Sequence, residues 1–323
     1  MILILSETTD YSTNIVIEWL DKLGEPYLRI NPENVLSIIK INESNILVNF
    51  KLNHEEPIEI DLLTLKGYWY RRGALRVLQK SFDAKKSIYK EINDELKNHN
   101  SVLVEFLHYV LKSKIENRIG DINENKINKL ILLEKANQVG LKTPKTLICN
   151  SKKEIKNFIK ENGDVITKPI AQGAAWGIKT SFDGFTIKID KTHLNSIPDK
   201  FTPSLFQVMI DKKYEIRTFY LKGKFYSMAI FSQNDSKTVV DFRNYNIEKP
   251  NRTVPYNLPK SITHKISQLM RNLEMNCGSI DLIYGKDDEF YFLEVNPVGQ
   301  FHQVSYPCNF KIEKEIAKQL SND

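Results

Sequence analysis

The amino-acid sequence predicts a mixed α/β (α+β) protein with more than one domain. The apolar run Ile2–Leu5 is followed by apolar residues at helical spacing and then by the strand-like segment Tyr27–Ile30, which is the order of a β-α-β unit. Towards the other end, apolar runs at residues 279–283 and 290–297 flank the turn-forming segment 285–288, which predicts a β-hairpin. A length of 323 residues allows one large domain or two to three small domains.

Composition and charge exclude several classes of protein. The net charge of +6 favours an acidic partner, but lysines and acidic residues alternate, and no basic block with aromatics predicts nucleic-acid binding. Three widely spaced cysteines predict neither a disulfide framework nor a CxxC metal site. No basic region precedes the first apolar run, and no run reaches the roughly 20 residues of a membrane helix. We therefore expect a soluble, cytoplasmic protein that does not bind a membrane.

The first 120 residues contain the elements of one α/β domain. Thr13 or Asn14 can cap a helix that ends at Gly24, and the absence of GxGxxG excludes a dinucleotide fingerprint. Further predicted elements here are strands at 46–52, 58–62 and 67–71 and a helix at 85–115. After a polar connection near residue 120, the predicted elements are helices at 126–139 and 262–273 and strands at 164–169, 204–210 and 216–221.

Three oxygen-bearing side chains in the C-terminal hairpin form a candidate Mg²⁺ site. Asp281, Glu294 and Asn296 stand among apolar neighbours, and Glu294 and Asn296 are two residues apart, so they leave the same face of a strand. Burying two carboxylates side by side is unfavourable unless a cation or hydrogen bonds compensate, and such oxygens are the ligands that Mg²⁺ takes. The alternative is an ordinary hairpin whose polar residues face outward.

A lysine followed by a loop of small residues forms a candidate phosphate site. A β-branched strand ends in Lys168-Pro169 and runs into the glycine- and alanine-containing loop 170–177. Small residues let backbone N–H groups approach phosphate oxygens, and the Lys168 ammonium adds a positive charge. Because Lys-Pro before glycines is also common in ordinary turns, the interpretation depends on the position of this segment ahead of the hairpin.

The segment from residue 204 to residue 221 can hold a nucleotide base and its ribose. We expect its first strand to line an apolar base pocket, with Gln207, Met209 and Ile210 at the adenine edge. Glu215 is a candidate for the ribose hydroxyls, although an ordinary amphipathic hairpin explains Glu215 equally well.

Taken in order, these segments resemble the ATP-grasp superfamily. The segments that carry the resemblance are Asn125-Lys126, Gly140-Leu141-Lys142-Thr143-Pro144, Ile166-Thr167-Lys168-Pro169, Glu215-Ile216-Arg217, Ile280-Asp281 and Phe292-Leu293-Glu294-Val295-Asn296-Pro297. The resemblance implies an ATP-grasp fold with an N-terminal pre-grasp α/β domain at 1–120, a small central domain at 121–205 and a C-terminal ATP-clamping domain at 206–323.

The same resemblance implies ATP and Mg²⁺ as cofactors and assigns roles to particular residues. Lys126 and Lys168 would contact the nucleotide phosphates, with Lys129 as a competing candidate for the first position. The Mg²⁺ ligands would be Asp281, Glu294 and Asn296. The loop after Lys168 departs from the fuller glycine runs of the amino-acid ligases.

A narrower resemblance is to the graspetide synthetases, which include the microviridin type, with the grasp-with-spasm branch most similar. It is carried by Ile4-Leu5-Ser6 with Asp10-Tyr11-Ser12-Thr13, Gly67-Tyr68-Trp69-Tyr70-Arg71-Arg72, Ser232-Gln233-Asn234-Asp235, Asp241-Phe242-Arg243 and Asn296-Pro297-Val298-Gly299-Gln300-Phe301. It implies a homodimeric enzyme that joins Asp or Glu side chains of a ribosomal precursor peptide, with a leader and an acidic, hydroxyl-rich core, to Ser/Thr hydroxyls or Lys amines.

Four arginines are further candidates. Arg217 and Arg243 can neutralise a transferring phosphoryl group or an acyl phosphate, where preorganised positive charge is worth several kcal/mol. Arg71 and Arg72 end an aromatic strand and are weaker candidates for binding substrate, because consecutive strand residues face opposite ways and at most one of them is expected to serve a site.

Two other functions are compatible with the same sequence. A ligase of this fold can add free amino acids to a protein or peptide terminus, and a nucleotide-binding regulator can keep the fold without turnover. The three candidate metal ligands and both phosphate lysines argue against the regulator.

Overall fold

A computed structural model describes residues 1–52, 56–83, 87–123, 127–170, 186–233, 247–248 and 250–321. The chain forms two compact units. The first unit consists of Met1–Asn125, Gln300–His302 and Lys311–Asp323, and the second of Lys126–Gly299 and Gln303–Phe310. The division into three domains stays a prediction.

A parallel sheet with the strand order β2-β1-β6-β7 is the centre of the first unit. Its strands are β1 (Ile2–Leu5), β2 (Tyr27–Ile30), β6 (Gly67–Tyr70) and β7 (Asn117–Ile119). All four residues of β1 are buried, because β1 is an inner strand between β2 and β6. Helix α1 (Tyr11–Leu23) packs against α8 (Ile312–Ser321), which also contacts β6 and β7. The β-α-β unit predicted from the sequence is therefore present.

The start of α1 differs from the prediction. The N-cap is Asp10, whose side chain accepts a hydrogen bond from the Thr13 backbone N–H at 2.9 Å. Thr13 is instead buried inside the first turn, with its hydroxyl 2.7 Å from that of Ser6. The helix therefore begins before the predicted cap at Thr13 or Asn14, and it ends as predicted at Gly24, whose φ of 70° is the left-handed conformation that glycine adopts freely.

A three-stranded antiparallel sheet in the first unit contains a strand that the sequence analysis missed. The sheet is formed by β3 (Val35–Ile41), β4 (Ile46–Lys51) and β5 (Ile58–Asp61), in that order. In β4, Ile46, Val48 and Phe50 alternate as buried residues, whereas only Leu36 is buried in β3 and its register shifts after Ile38. The missing alternation explains why β3 was not predicted.

Helix α2 (Ser87–Lys114) has 28 residues, and its buried residues lie only near its C-terminal end. Five of its large apolar side chains are exposed, and their spacings place them on one side of the helix: Ile88, Ile92, Val102, Phe106 and Tyr109. Within the described part of the chain, no helix combines the length and apolar character needed to cross a bilayer.

The second unit contains a small sheet with the order β10-β9-β11-β8. Its strands are β8 (Thr146–Ser151), β9 (Val165–Lys168), β10 (Ile187–Lys188) and β11 (Lys200–Val208), and its helices are α4 (Lys152–Asn162) and α5 (Lys191–Ser196). Ile155 from α4 forms a core with Val165, Ile189 and Phe206 on one face of this sheet. Strand β11 ends at Val208, so Met209 and Ile210 lie beyond the strand that was predicted to include them.

An antiparallel sheet with the order β14-β13-β12-β15-β16 is the larger sheet of the second unit. Its strands are β12 (Lys212–Leu221), β13 (Lys224–Phe231), β14 (Arg252–Tyr256), β15 (Cys277–Gly285) and β16 (Phe290–Asn296). One face packs against α3 (Lys129–Gln138) and α6 (Lys260–Asn272) through a core that includes Leu132, Ile266, Ile216, Ile280 and Phe292. The remaining helix, α7, spans His302–Cys308.

Helix α3 begins later than predicted, at Lys129 instead of residue 126. Asn128 caps it, because its side-chain oxygen accepts hydrogen bonds from the backbone N–H groups of Leu130 and Ile131. This cap makes Lys129 the first helical residue.

His108 is a buried histidine on α2 without a hydrogen-bond partner for either ring nitrogen among the described residues. Burial lowers the pKa of His108 from 6.5 to about 4, although nearby Asp121 acts in the opposite direction. The folded protein therefore holds this imidazole neutral at pH values where an exposed histidine is protonated.

We predict that His108 makes the free energy of unfolding decrease as the pH falls from 6.5 to about 4. In this window the unfolded chain binds a proton that the folded chain does not, and the full loss is roughly 3 kcal/mol. The substitution His108→Leu should remove this component, as measured by urea denaturation at neutral pH and at about pH 5. His99→Gln, at an exposed position of the same helix, is the control. An unchanged pH dependence in His108→Leu would contradict the prediction.

Candidate active site

The face of the large sheet opposite its core carries the three candidate metal ligands. Asp281 on β15 stands directly opposite Glu294 on β16, and Asn296 stands opposite Ser279. The register shifts between Asp281 and Leu282, so that Leu293 is an extra, unpaired residue in β16. As a result, Phe292 and Val295 both face the core, whereas Glu294 and Asn296 face the other side.

Asn296 links the two carboxylates. Its Nδ2 lies 3.5 Å from Asp281 Oδ2 and 3.4 Å from Glu294 Oε1. The sequence placed Glu294 and Asn296 on one face, and the structure brings both to Asp281. Three oxygen-bearing side chains thus converge on one point of the sheet.

Two cations lie beside these carboxylates. Arg217 Nη1 on β12 is 3.5 Å from Asp281 Oδ1, and Lys129 Nζ at the start of α3 is 3.5 Å from Glu294 Oε2. The same Lys129 Nζ donates a hydrogen bond to the backbone oxygen of Pro169 at 3.2 Å. Lys129 therefore joins the metal-ligand strand to the end of β9, directly after Lys168.

These residues fit a Mg²⁺ ion whose remaining ligands are phosphate oxygens. Two carboxylates and one amide are hard oxygen donors, and Mg²⁺ is commonly held by one or two carboxylates together with phosphate oxygens. In the described part of the chain, no group of three or more His, Cys, Asp or Glu side chains is placed to hold a metal alone. Three protein oxygen donors leave coordination positions for phosphate oxygens, so the site is suited to a metal that arrives with a nucleotide.

The backbone after β16 passes unusually close to β15. A Cβ atom at Gly299 would lie 2.0 Å from Ser279 Oγ and 2.6 Å from its backbone nitrogen, so only glycine fits there. Because Ser279 pairs with Asn296, this close approach fixes the end of the strand that carries the candidate ligands.

Glu215 on β12 is buried beside the metal-ligand face and is held by two neighbours. Lys212 Nζ lies 2.5 Å from Glu215 Oε1, and Ser232 Oγ donates a hydrogen bond to Oε2 at 2.7 Å. The predicted ribose-binding role of Glu215 stays a prediction. The sequence analysis assigned neither Lys212 nor Ser232 a contact with Glu215. Residues three apart on a regular strand face opposite ways, and the register shift between Lys212 and Tyr214 is what allows Lys212 to reach Glu215.

The small sheet presents Lys168 and Gln207 on one face. Lys168 stands opposite Leu205, and Leu205 and Gln207 are two residues apart on β11, so all three share a face. Phe206 faces the core formed with α4, on the other side. The candidate phosphate lysine and the candidate base-binding glutamine therefore lie on the face that is free of helices α4 and α5.

Met209 and Ile210 connect the two sheets. The Met209 backbone N–H donates to Asp164 O at 2.8 Å. Among the described residues, neither the Met209 carbonyl nor the Ile210 N–H forms a hydrogen bond with another backbone group. One acceptor and one donor are thus available at this connection, which is the pair that an adenine edge requires.

Arg71 and Arg72 lie in the first unit, just beyond the end of β6. The Nε atoms of Arg71 and Arg72 lie 3.2 and 3.1 Å from the same oxygen, Asp10 Oδ2. The expectation that at most one arginine serves a site assumed strand alternation, which does not apply here because β6 ends at Tyr70. Burial raises the pKa of Asp10, but Arg71, the hydrogen bonds from Thr13, and Arg72 together lower it below its usual value.

Several predicted site residues lie outside the described part of the chain. These are Lys126, Arg243 and the small-residue loop from residue 171 onwards.

His302 was not assigned a role. Its Nδ1 lies 2.9 Å from Glu313 Oε1, and its ring packs edge-on against the ring of Tyr11.

The family model described as "Prokaryotic glutathione synthetase, ATP-grasp domain" matches residues 128–249. No curated protein sequence matches the chain.

Several solved structures are similar over nearly the whole chain. The macrocyclase MdnC from Microcystis aeruginosa MRC, bound with precursor peptide MdnA, is 25% identical with a TM-score of 0.72, covering 100% of this chain and 99% of that one. A Chryseobacterium gregarium RiPP-associated ATP-grasp ligase, in complex with ADP and a leader and core peptide, is 25% identical with a TM-score of 0.77, covering 99% and 96%. The ATP-grasp ligase PsnB, complexed with minimal precursor, Mg and ADP, is 16% identical with a TM-score of 0.68, covering 99% and 96%, which shows the fold alone.

These findings confirm the resemblance and the fold class predicted from the sequence. The chain has the ATP-grasp fold, and its structural neighbours include the macrocyclase MdnC and a RiPP-associated ATP-grasp ligase.

We predict that the double substitution Glu294→Gln with Asn296→Ala abolishes ATP-dependent turnover while the protein remains folded. The substitutions remove one charge and one amide from the converging ligands, whereas the core-facing Phe292 and Val295 are untouched. ADP release and a thermal melt measure the two outcomes. The matched control is Glu289→Gln, in the exposed turn of the same hairpin. ADP release close to that of the wild type would refute the metal assignment.

Proposed function

We propose that this chain, which has the ATP-grasp fold, is a MgATP-dependent, ADP-forming carboxylate ligase that macrocyclises a ribosomally made precursor peptide. The observation that carries the ligase assignment is the convergence of Asp281, Glu294 and Asn296 on the open face of the large sheet. Arg217 and Lys129 border this group with positive charge.

The nucleotide is proposed to bind between the two sheets of the second unit. Lys168, on the helix-free face of the small sheet, contacts the phosphates. The Met209 carbonyl and the Ile210 N–H bind the adenine edge, and Glu215 binds the ribose. We favour Lys129 over Lys126 as the other phosphate lysine, because the Lys129 ammonium already lies between Glu294 and the residue after Lys168.

A bound Mg²⁺ would be held by Asp281, Glu294 and Asn296 and would supply positive charge to the nucleotide phosphates. Arg217 then neutralises charge on the transferring phosphoryl group, and Arg243 is proposed to assist it. Because Arg217, Asp281 and Glu294 lie on neighbouring strands of one sheet, little reorganisation of these three groups is needed during the reaction.

The proposed reaction has two steps. A substrate carboxylate attacks the γ-phosphorus of ATP, which forms an acyl phosphate and releases ADP. A Ser/Thr hydroxyl or a Lys amine of the same peptide then attacks the acyl carbon, loses its proton and displaces phosphate, which gives an ester or an amide. The chain contributes alignment and charge neutralisation and needs no covalent enzyme intermediate.

The choice of a precursor peptide as substrate is supported by two observations. Two structural neighbours at 25% identity, similar over almost the whole chain, are a macrocyclase with its precursor peptide and a ligase with leader and core peptides. The net charge of +6 also suits a peptide whose core is acidic. Arg71 and Arg72 are proposed as weaker substrate contacts, and we propose that the enzyme acts in the cytoplasm.

We predict that a precursor peptide with acidic and hydroxyl or lysine side chains loses the mass of one water per bond formed, only in the presence of enzyme and MgATP. Mass spectrometry measures the loss, and hydroxide should reopen esters much faster than amides. Replacing the acceptor acids with Gln or Asn should remove one mass loss per ring, because an amide cannot form an acyl phosphate.

The same experiment separates the two alternatives. A gain in mass equal to an amino-acid residue would indicate a ligase that adds free amino acids. If the protein binds nucleotide but releases no ADP with any peptide added, it would be a regulator. Dehydration that persists after the acids are replaced would also contradict the proposed reaction.

We also propose that the enzyme is a homodimer, and the exposed apolar side chains of α2 support this proposal. Exposed apolar surface often marks an interface, and on α2 Val102, which is 66% exposed, and Phe106 lie one helical turn apart in an apolar stripe. A second copy of the same helix would cover the stripe with like surface, as a two-fold interface requires.

We predict that Val102→Asp with Phe106→Asp converts the dimer to a monomer without unfolding the protein. Light scattering coupled to size-exclusion chromatography measures the mass. The matched control is Ile39→Asp, at an exposed apolar position elsewhere in the first unit, which should leave the mass unchanged. A dimer that survives the α2 substitutions would place the interface elsewhere.

A further inference from the structure

The side chain of Asp10 in the first unit is only 6% exposed, and neighbouring groups occupy both of its oxygens. Oδ1 accepts hydrogen bonds from the backbone N–H and the hydroxyl of Thr13. Oδ2 lies 3.2 Å from Arg71 Nε and 3.1 Å from Arg72 Nε. Two guanidinium groups thus share one carboxylate, and these three charged side chains together carry one surplus positive charge.

The two arginines differ in exposure, and this difference gives them different roles. The Arg71 side chain is 4% exposed, and its guanidinium also lies over the ring of Phe301, 5.4 Å from the ring centre. The Arg72 side chain is 37% exposed. Arg71 is therefore suited to holding Asp10 in place, whereas Arg72 can reach a ligand that arrives from solvent.

The terminal nitrogens of Arg72 form the edge of the guanidinium that Asp10 does not use. Arg72 Nε donates a hydrogen bond to Asp10 Oδ2, which leaves the edge formed by Nη1 and Nη2. Among the described residues, neither terminal nitrogen makes a hydrogen bond, and Glu7 Oε2 lies 3.9 Å from Nη1. Two parallel N–H groups on such an edge match the two oxygens of a carboxylate.

Glu7 stands where an external carboxylate would approach Arg72. Its side chain is 46% exposed, and its distance from Arg72 Nη1 is too long for a hydrogen bond. The backbone oxygen of Glu7 accepts a hydrogen bond from the side chain of Arg29 on β2, so the main chain of Glu7 is held while its side chain is not. Glu7 is thus a loosely bound counter-ion that a better-placed carboxylate can displace.

These groups lie at the carboxyl edge of the parallel sheet. Glu7 follows the end of β1, and Arg72 follows the end of β6. The neighbours of β1 in the sheet are β2 on one side and β6 on the other, so the chain order changes direction at β1. Open parallel sheets bind ligands outside the carboxyl ends of their strands at such a point, which supports a binding site here independently of charge.

We propose that Arg72 binds a side-chain carboxylate of the substrate peptide through Nη1 and Nη2, that Asp10 and Arg71 position its guanidinium, and that Glu7 competes for the same edge. This inference rests on the proposed function, in which the substrate is an acidic peptide, and it makes Arg72 the direct contact of the two arginines. The competition predicts effects of opposite sign, because removing the Arg72 edge weakens peptide binding and removing the Glu7 charge strengthens it.

Calorimetry without nucleotide tests the proposal with two synthetic peptides, one of repeated Thr and Glu residues and one in which Gln replaces every Glu. The wild type should bind the Glu peptide more tightly. Arg72→Lys keeps the positive charge but removes the two-nitrogen edge, and it should weaken binding of the Glu peptide roughly tenfold. Glu7→Gln should strengthen that binding about twofold to fivefold, the range expected when one competing exposed ion pair is removed. Neither variant should change binding of the Gln peptide.

The matched controls are Arg76→Lys and Glu18→Gln, at exposed positions of the same unit. They make the same chemical changes away from Asp10 and should leave both affinities unchanged. In a protein that carries both Arg72→Lys and Glu7→Gln, the strengthening should disappear, because the edge for which Glu7 competes is gone. A non-hydrolysable ATP analogue, titrated without peptide, should bind the wild type and Arg72→Lys equally.

Three results would overturn the proposal. The first is a wild type that binds the two peptides equally, and the second is a Glu7→Gln protein that binds the Glu peptide no more tightly than the wild type does. The third is an Arg72→Lys protein with weaker binding of the ATP analogue and unchanged binding of the Glu peptide, which would assign Arg72 to a phosphate. Failure of the proposed function is distinguishable, since opposed effects on peptide binding without any loss of water in the presence of MgATP would contradict only the macrocyclisation.

Discussion

The face of the large sheet on which the Glu294 side chain lies depends on one unpaired residue in β16. Regular alternation would place Glu294 on the same face as Phe292, which lies in the core of the large sheet. The extra residue, Leu293, shifts the register so that Phe292 and Val295 are both buried while Glu294 and Asn296 both face the open side. The bulge therefore lets the strand bury its apolar side chains and present the candidate metal ligands at the same time. Bulges are often found beside active sites, where they redirect a side chain in this way.

Charge compensation is the second requirement that this face meets. Two adjacent carboxylates of low exposure repel each other unless cations or donors lie nearby. Arg217, Lys129 and the amide of Asn296 provide that compensation from three separate elements, β12, α3 and β16. Because Lys129 also bonds to Pro169 O, the arrangement ties the metal-ligand strand to the end of the strand that carries Lys168.

Whether a segment forms a helix or a strand was predictable wherever its apolar residues recur at a regular spacing. The residues at which helices begin were not predictable in the same way. β1, α1 and the β15–β16 hairpin were found because apolar residues repeat as buried strands and helices require. The first residues of α1 and α3 were misplaced. At α1, Asp10, Thr13 and Asn14 are all suitable caps and only the backbone conformation chooses among them, and at α3 the cap at Asn128 was not predicted. β3 was missed because its stability comes from pairing with β4, not from an apolar pattern of its own.

By itself, the sequence predicted the opening β-α-β unit, the C-terminal hairpin, the ATP-grasp resemblance, and Asp281, Glu294 and Asn296 as a candidate set. Those inferences depend on residue type and on spacing within one strand, which are local properties. Tertiary structure alone decided that Arg217 and Lys129 border the set and that Lys212 and Ser232 hold Glu215. Each of these contacts joins groups whose distance is set by strand register and helix placement, and only packing of the whole chain specifies those.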